Sequence, residues 1–299
     1  MRLMRLGFHV SVAGGVHRAV RAGILRRCHT IQVFTAAPAV WARRKPHPEQ
    51  DAAFVNSCRE ADLWPVFIHA PYLLNVASAN EDLWQKSVSV LIQELETANR
   101  WQAMGVVLHL GSSAGQTEQQ GLKRVTRALA QACDHSEGPA QIIMENCAGQ
   151  GELIGHSMEQ LGAIVEAVGI DRIGVCLDTA HAFAAGYGLH TAEGLDALLQ
   201  EADELFGLDL LRLIHLNDSR SELGSRVDRH EHIGDGHIGS AGFRGILSEP
   251  RLHHLPFIME TPKGVKSELE DDLMNLRRVR RLIPKHLRPS LPPAVRAQK

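Results

Sequence analysis

Eight short apolar runs alternate with stretches of helical periodicity, which predicts an α/β chain whose parallel strands close into a (β/α)8 barrel, the TIM barrel. The runs are "LGFHVSV", "TIQVFTA", "PVFIHAP", "GVVLHLGS", "QIIMENCA", "IGVCLDTAH", "LRLIHLND" and "PFIMETP". Each is bounded by Gly, Pro, Ser, Thr or Asn, as expected of strands buried on both faces. Between them, "DLWQKSVSVLIQELETANRWQAM" sets Val88, Leu91, Ile92, Leu95 and Ala98 on one helical face. "SMEQLGAIVEAVG" repeats the pattern through Leu161, Ile164, Val165 and Val168. The rival is an open doubly wound sheet, which favours a GxGxxG phosphate turn after its first strand. "SVAGGV" (Ser11 to Val16) has the glycines without that spacing, so the barrel is preferred.

Composition bounds the function. The chain has 299 residues, 44% hydrophobic and 22% charged, which suits one large barrel better than a repeat array or a disordered chain. Net charge is -2, so any nucleic-acid partner must be held by a local patch or by bound cations. "MRLMRLGFHV" lacks a signal-peptide core and no run approaches a membrane span, so no membrane partner is expected. Five scattered cysteines (Cys28, Cys58, Cys133, Cys147, Cys176) form no CxxC pair, which points to a reducing cytoplasm. Residues 1–282 form the expected barrel domain. The Pro-rich basic end "RLIPKHLRPSLPPAVRAQK" is expected to leave 283–299 as a mobile tail. A monomer is expected.

Histidine is in excess, at 17 against 8 Phe and 2 Tyr. Its placement carries the argument. The third to eighth runs end at His69, His109, Glu145, Asp178, His215 and Glu260, each after apolar neighbours. In a barrel all C-terminal strand ends open onto one mouth, so these six side chains converge. A single strand-end histidine is ordinarily a hydrogen-bonded core residue, and a single buried carboxylate is ordinarily paired with a base. Three carboxylates at one mouth repel one another and must either hold protons or bind cations. Imidazoles with carboxylates and no thiolate suit zinc, manganese or iron(II) rather than calcium or magnesium. His181 follows Asp178 by three positions, and "DRHEHIGDGHIG" (Asp228 to Gly239) follows the seventh run with three more histidines and little apolar content. That loop is expected to fold over the mouth. Together the donors suffice for two or three ions.

The ordered set "GFHVSVAGG", "HAPYLLNVAS", "HLGSSAG", "MENCAGQG", "CLDTAHAFAAGY", "HLNDSRSELGSRVDRHEHIGDGHIG" and "ETP" resembles the endonuclease IV family, from about Gly7 to Pro262. The resemblance implies a zinc-dependent DNA-repair endonuclease. Such an enzyme cleaves double-stranded DNA on the 5′ side of an abasic site, leaves a 3′-hydroxyl, and also trims blocked 3′ ends. It implies three zinc ions per chain, with Mn2+ or Fe2+ as substitutes. His69, His109 and Glu145 would hold the first. Glu145 would bridge to the second, completed by Asp178, His215 and Glu260, and His181, Asp228 and His230 would hold the third. Glu145 is the catalytic candidate, and His9, Tyr72, Arg226 and Arg229 are DNA-contact candidates. The chain departs from the family in "FTAAPAVW" (Phe34 to Trp41), where Ala37 and Ala39 replace an Asn and an Arg that help probe the DNA, and in Leu110, where proline is common.

Two other readings stay open on the residues. A metal-dependent sugar isomerase or epimerase also gathers carboxylates and histidines at a barrel mouth, though the third donor set is surplus to its needs. A DNA-binding relative with little turnover would keep the donors and alter the probing loop.

Overall fold

The computed structural model describes residues 4–43, 45–264 and 267–292. Eight parallel strands close a barrel: β1 (Arg5–Val10), β2 (Thr30–Val33), β3 (Val66–His69), β4 (Gly105–Leu108), β5 (Gln141–Glu145), β6 (Ile173–Asp178), β7 (Leu211–His215) and β10 (Pro256–Met259), which pairs back onto β1. The strands are short and almost wholly buried, which is why the sequence shows them as unbroken apolar runs. Between β7 and β10, the two-residue strands β8 (Asp218–Ser219) and β9 (His230–Glu231) pair antiparallel.

Nine helices surround the described barrel: α1 (Val16–Leu25), α2 (Pro48–Glu60), α3 (Glu81–Arg100), α4 (Glu118–Asp134), α5 (Met158–Val168), α6 (Thr179–Ala185), α7 (Ala192–Phe206), α8 (Gly239–Ser248) and α9 (Glu268–Leu282). Their starts are set locally. Asn80, Ser157, Thr191 and Ser267 each accept a backbone N–H of the first turn, and Thr117 with Gln120 forms a reciprocal capping box on α4.

The core divides by the strand period of two. Ile68, Val106, Ile142, Val175, Ile214 and Phe257 belong to the large cluster packed under the helices. Their neighbours Phe67, Val107, Ile143, Cys176, Leu213 and Ile258 form a separate fully buried cluster, one residue from each of six strands. Alternation turns these six into the barrel lumen, where they plug it. Two positions further along each strand, on the same face, stand His69, His109, Glu145, Asp178, His215 and Glu260. The candidate ligands are thus the next layer above an apolar plug.

The expected tail is corrected in its first ten residues. Ile283 is buried, and Leu287 and Leu291 pack against the core. His29 Nε2 donates to Ser290 O at 2.8 Å, Arg27 Nε to Pro292 O at 2.8 Å, and an Arg280 amine to Pro289 O at 2.6 Å. Proline carbonyls remain acceptors, so a Pro-rich segment can be strapped down by arginines although it forms no helix or strand. Residues 293–299 lie outside the described residues.

Candidate metal centre

Glu145 stands at the centre of the mouth, with no measurable exposure. Its two oxygens face different partners. Oε2 lies 3.3 Å from His69 Nε2 and 3.5 Å from His109 Nε2, and Oε1 lies 3.0 Å from His215 Nδ1. Glu260 Oε2 is 3.5 Å from the same His215 nitrogen. A further group sits to one side, where Asp228 places one oxygen 3.2 Å from His181 Nε2 and the other 3.4 Å from His230 Nε2. Donors about 2.0–2.1 Å from one tetrahedral zinc are about 3.3–3.4 Å from each other. Five of these six separations lie between 3.2 and 3.5 Å, the spacing of donors that surround a shared cation, and His215–Glu145 at 3.0 Å is an ordinary hydrogen bond.

Four sets bring their donor atoms within 4.8 Å of one another: His69, His109, Glu145; Glu145, Asp178, His215, Glu260; Asp178, His181, His230; and Glu145, Cys176, His215. The first two are the groupings the resemblance implied. The third differs from the expected His181, Asp228 and His230 by holding Asp178 in place of Asp228; Asp178 lies 3.8 Å from both His215 Nδ1 and His230 Nε2. The fourth adds the Cys176 thiol, where no thiolate was expected among the donors. Burial pushes the Cys176 thiol up to about 12, so it remains neutral beneath the carboxylates.

Four of the histidines are aimed by their other nitrogen. His69 Nδ1 donates to Ala70 O at 2.6 Å, His181 Nδ1 to Asn146 O at 3.0 Å, and His230 Nδ1 to Glu260 O at 3.1 Å. These bonds leave Nε2 with its lone pair toward the carboxylates. His215 is reversed, with Nε2 donating to Gln32 Oε1 at 2.9 Å and Nδ1 facing Glu145. An imidazole whose far N–H is fixed by an oxygen is the usual arrangement behind a metal ligand. His230 Nε2 is buried without a hydrogen-bond partner, which a cation would supply. The residues present fit a multinuclear metal centre.

The electrostatics agree. Burial alone would raise the Glu145 carboxyl, but His109 and His215 beside it hold it well below the usual range. Burial opposes a charge on His181 and is outweighed by Asp178, Asp228 and Glu145, which hold the imidazole well above its ordinary value. No lysine or arginine contacts Glu145, Asp178 or Asp228 through its side-chain charge among the described ion pairs. Against its burial, the carboxylates likewise hold His215 well above its ordinary value, so His181 and His215 carry the compensating charge that divalent cations can replace.

Asp218 builds the loop that carries the third group. Its buried carboxylate accepts the backbone N–H of Gly234, Gly236 and Ile238 at 2.8 to 3.1 Å. A Cβ on Gly236 would stand 2.4 Å from Ser219 O and 2.6 Å from Asp218 Oδ1, so only glycine lets the backbone approach. The β8–β9 pair then brings Asp228 and His230 to the mouth. Little apolar content led to the expectation of a plain loop over the mouth. The structure corrects this at His230–Glu231, and buries Ile233 and Ile238 as anchors.

Sequence reasoning also missed three amides. Gln32 lies at the mouth with no exposure. Asn146 Oδ1 accepts Asp178 N at 2.6 Å. Asn217 Nδ2 donates to Asp178 Oδ2 at 2.6 Å, and its Oδ1 accepts Glu260 N at 2.8 Å. The available signal was an amide inside or just after an apolar run, in "TIQVF", "MEN" and "HLN".

The DNA-contact candidates are spread around this centre. His9 is inside it, with Nδ1 3.1 Å from Glu260 Oε1. Tyr72 is 62% exposed over the mouth, its ring 5.5 Å from His69 and 5.4 Å from Phe34. Arg226 and Arg229 are exposed on the loop between β8 and β9, and Arg229 donates to Asp228 O at 2.6 Å. Ala37 and Ala39 are exposed at the rim, beside a cavity of about 700 Å³ lined in part by His9, Phe34, Ala37 and Lys263. The loop is tied down from behind, since Glu94 of α3 accepts Thr35 Oγ1 at 2.8 Å and pairs with Arg43 at 3.0 Å.

The closed parallel barrel falls in the class described as the xylose isomerase-like TIM barrel, whose family model matches residues 16–279. Within it, the chain belongs to the endonuclease IV family. It is 41% identical over 280 residues to a probable endonuclease 4 of Geobacter sulfurreducens, covering 93% of this chain and 94% of the relative. It is 43% identical over 280 residues to that of Oleidesulfovibrio alaskensis, with the same coverage. The crystal structure of endonuclease IV from Thermus thermophilus superposes with a TM-score of 0.81 at 37% identity, covering 93% of this chain and 98% of that one. A D-tagatose 3-epimerase-like protein, at 16% identity and a TM-score of 0.70, shares the fold alone.

Proposed function

We propose that this chain hydrolyses the DNA phosphodiester 5′ of an abasic site, leaving a 3′-hydroxyl, and clears blocked 3′ ends by the same chemistry. Three zinc ions are assigned, to His69, His109 and Glu145; to Glu145, Asp178, His215 and Glu260; and to His181, Asp228 and His230. Bound zinc supplies the Lewis acidity that makes water nucleophilic near neutral pH and neutralises charge on the phosphate oxygens.

The observation that carries the reading is the split engagement of Glu145, whose Oε2 faces His69 and His109 while Oε1 faces His215. One carboxylate so placed holds two groups at a fixed separation. Asp178 does the same between the second and third groups, with its Oδ1 capping α6 at His181 N (2.8 Å) and its Oδ2 turned to His215 and His230. Three linked groups exceed what one- or two-ion sugar chemistry requires. Tyr72, Arg226 and Arg229 surround the centre as the surface that would meet a strand. No helix among the described residues is long and apolar enough to cross a membrane. We place the enzyme in the cytoplasm as a monomer.

The test is incubation with a duplex bearing one abasic analogue. Cleavage only at the lesion, with a 3′-hydroxyl product, supports the reading. Binding without cleavage makes the chain a recognition protein, and no action on DNA returns it to the sugar-processing barrels.

A further inference from the structure

We propose that Gln32 is the positioning residue for the second metal group, setting the tautomer of His215 and the orientation of Glu260 through one buried side-chain amide. Gln32 is the third residue of β2 and faces the lumen, paired in register with His9 on one side and Phe67 on the other. It has no exposure. Its Oε1 accepts His215 Nε2–H at 2.9 Å and its Nε2 donates to Glu260 Oε1 at 2.8 Å. The opposite amide orientation would set Oε1 against the Glu260 carboxylate, two acceptors with no proton between them, so the chemistry of the neighbours fixes which way the amide points. With Nε2 of His215 held as the donor, the neutral ring has its lone pair on Nδ1, which faces Glu145 and Glu260. Because Glu260 Oε1 is engaged by Gln32 and by His9 Nδ1 at 3.1 Å, Oε2 is left toward His215. A single side chain from β2 thus aims ligands on β7 and just after β10. His69, His181 and His230 are instead oriented by backbone carbonyls, which no substitution removes, whereas the orientation of His215 depends on a side chain.

This inference rests on the metal reading above, and the test separates the two. Purified full-length wild type and Gln32→Met are loaded with zinc and titrated with a chelator of known affinity, counting zinc retained per chain. Thermal midpoints are taken in zinc-loaded and zinc-free forms. Removing a group that orients a ligand commonly costs on the order of tenfold to a hundredfold in metal affinity. One ion of the variant should leave at about that much less chelator, the others should leave as in wild type, and the zinc-free midpoints should coincide. Equal retention of all ions overturns the proposal, as does a midpoint loss confined to the zinc-free form, which is the mark of a packing role. If wild type retains no zinc, the metal reading itself falls. Should Gln32→Met not fold, imidazole ¹⁵N shifts of zinc-loaded wild type decide. His215 must show a protonated Nε2 and a ligating Nδ1, and the reverse overturns the proposal.

Discussion

At the scale of single residues, the account rests on side chains whose two ends do different things. Glu145 is the clearest case, because a carboxylate offers two equivalent anionic oxygens and an amide offers one neutral oxygen and a donor. Glu145→Gln should therefore lower single-turnover cleavage by on the order of a hundredfold or more while the thermal midpoint of the zinc-free protein changes little. Cleavage within a few-fold of wild type would remove Glu145 from the mechanism. Ala39 tests the opposite situation, a missing function. Alanine at the exposed rim offers no hydrogen bond and no reach, whereas arginine can bond phosphates and fill the gap left by an absent base. Ala39→Arg should tighten binding to abasic over intact duplex at one fixed salt concentration. Unchanged affinity and discrimination would assign probing to another segment, such as that around Tyr72. The strand-end ligands were legible because a titratable residue that closes a short apolar run has few structural excuses. Gln32, Asn146 and Asn217 were not, because an amide is ordinary in any loop and its partners lie far away in sequence, 183 residues in the case of Gln32 and His215.

At the scale of elements, the segment between β7 and α8 is the part that the sequence described least well. Its polar glycine-rich run reads as an unanchored loop, yet a buried carboxylate organises it. Asp218 collects backbone donors from Gly234, Gly236 and Ile238, and no periodicity reports a contact of that kind. Asp218→Asn replaces one acceptor oxygen by a donor that faces N–H groups. It should loosen the loop, lower zinc content by the ion of the third group, and leave the other ions in place. Elemental analysis checks this directly, and full zinc content in a folded variant would show that Asp228 and His230 are placed without that cage. The barrel strands were legible for the converse reason, since burial on both faces writes itself as a continuous apolar run. Pinning of the loop after β2 by Glu94 was not legible, because Thr35 and Glu94 meet only once α3 has packed.

At the scale of the whole molecule, the two ends of the barrel have separate jobs. The C-terminal mouth holds the chemistry, and the segment 283–292 is strapped beside the start of β2. His29 takes part in this strap as a neutral ring, with Nδ1 accepting Leu6 N–H at 3.4 Å and Nε2–H donating to Ser290 O at 2.8 Å. Burial, assisted by the nearby Arg5 guanidinium and opposed by Ser290 O and Asp62, holds its pKa below the ordinary 6.5. The unfolded chain then binds the proton more readily, so the contribution of His29 to stability is complete above pH 6.5 and is lost as pH falls below it. His29→Gln should flatten the fall of the thermal midpoint between about pH 7.5 and 5.5 relative to wild type. Parallel profiles would show that the strap does not depend on this ring.

One barrel mouth gathers linked sets of histidine and carboxylate donors whose atoms lie close enough to hold several cations. The most direct test of this metal reading is the metal content of fully active protein purified without chelator. Three ions per chain are expected, with zinc, manganese or iron among them, and abasic-site cleavage should be lost when they are stripped. Full activity in protein that carries no metal would contradict the metal reading.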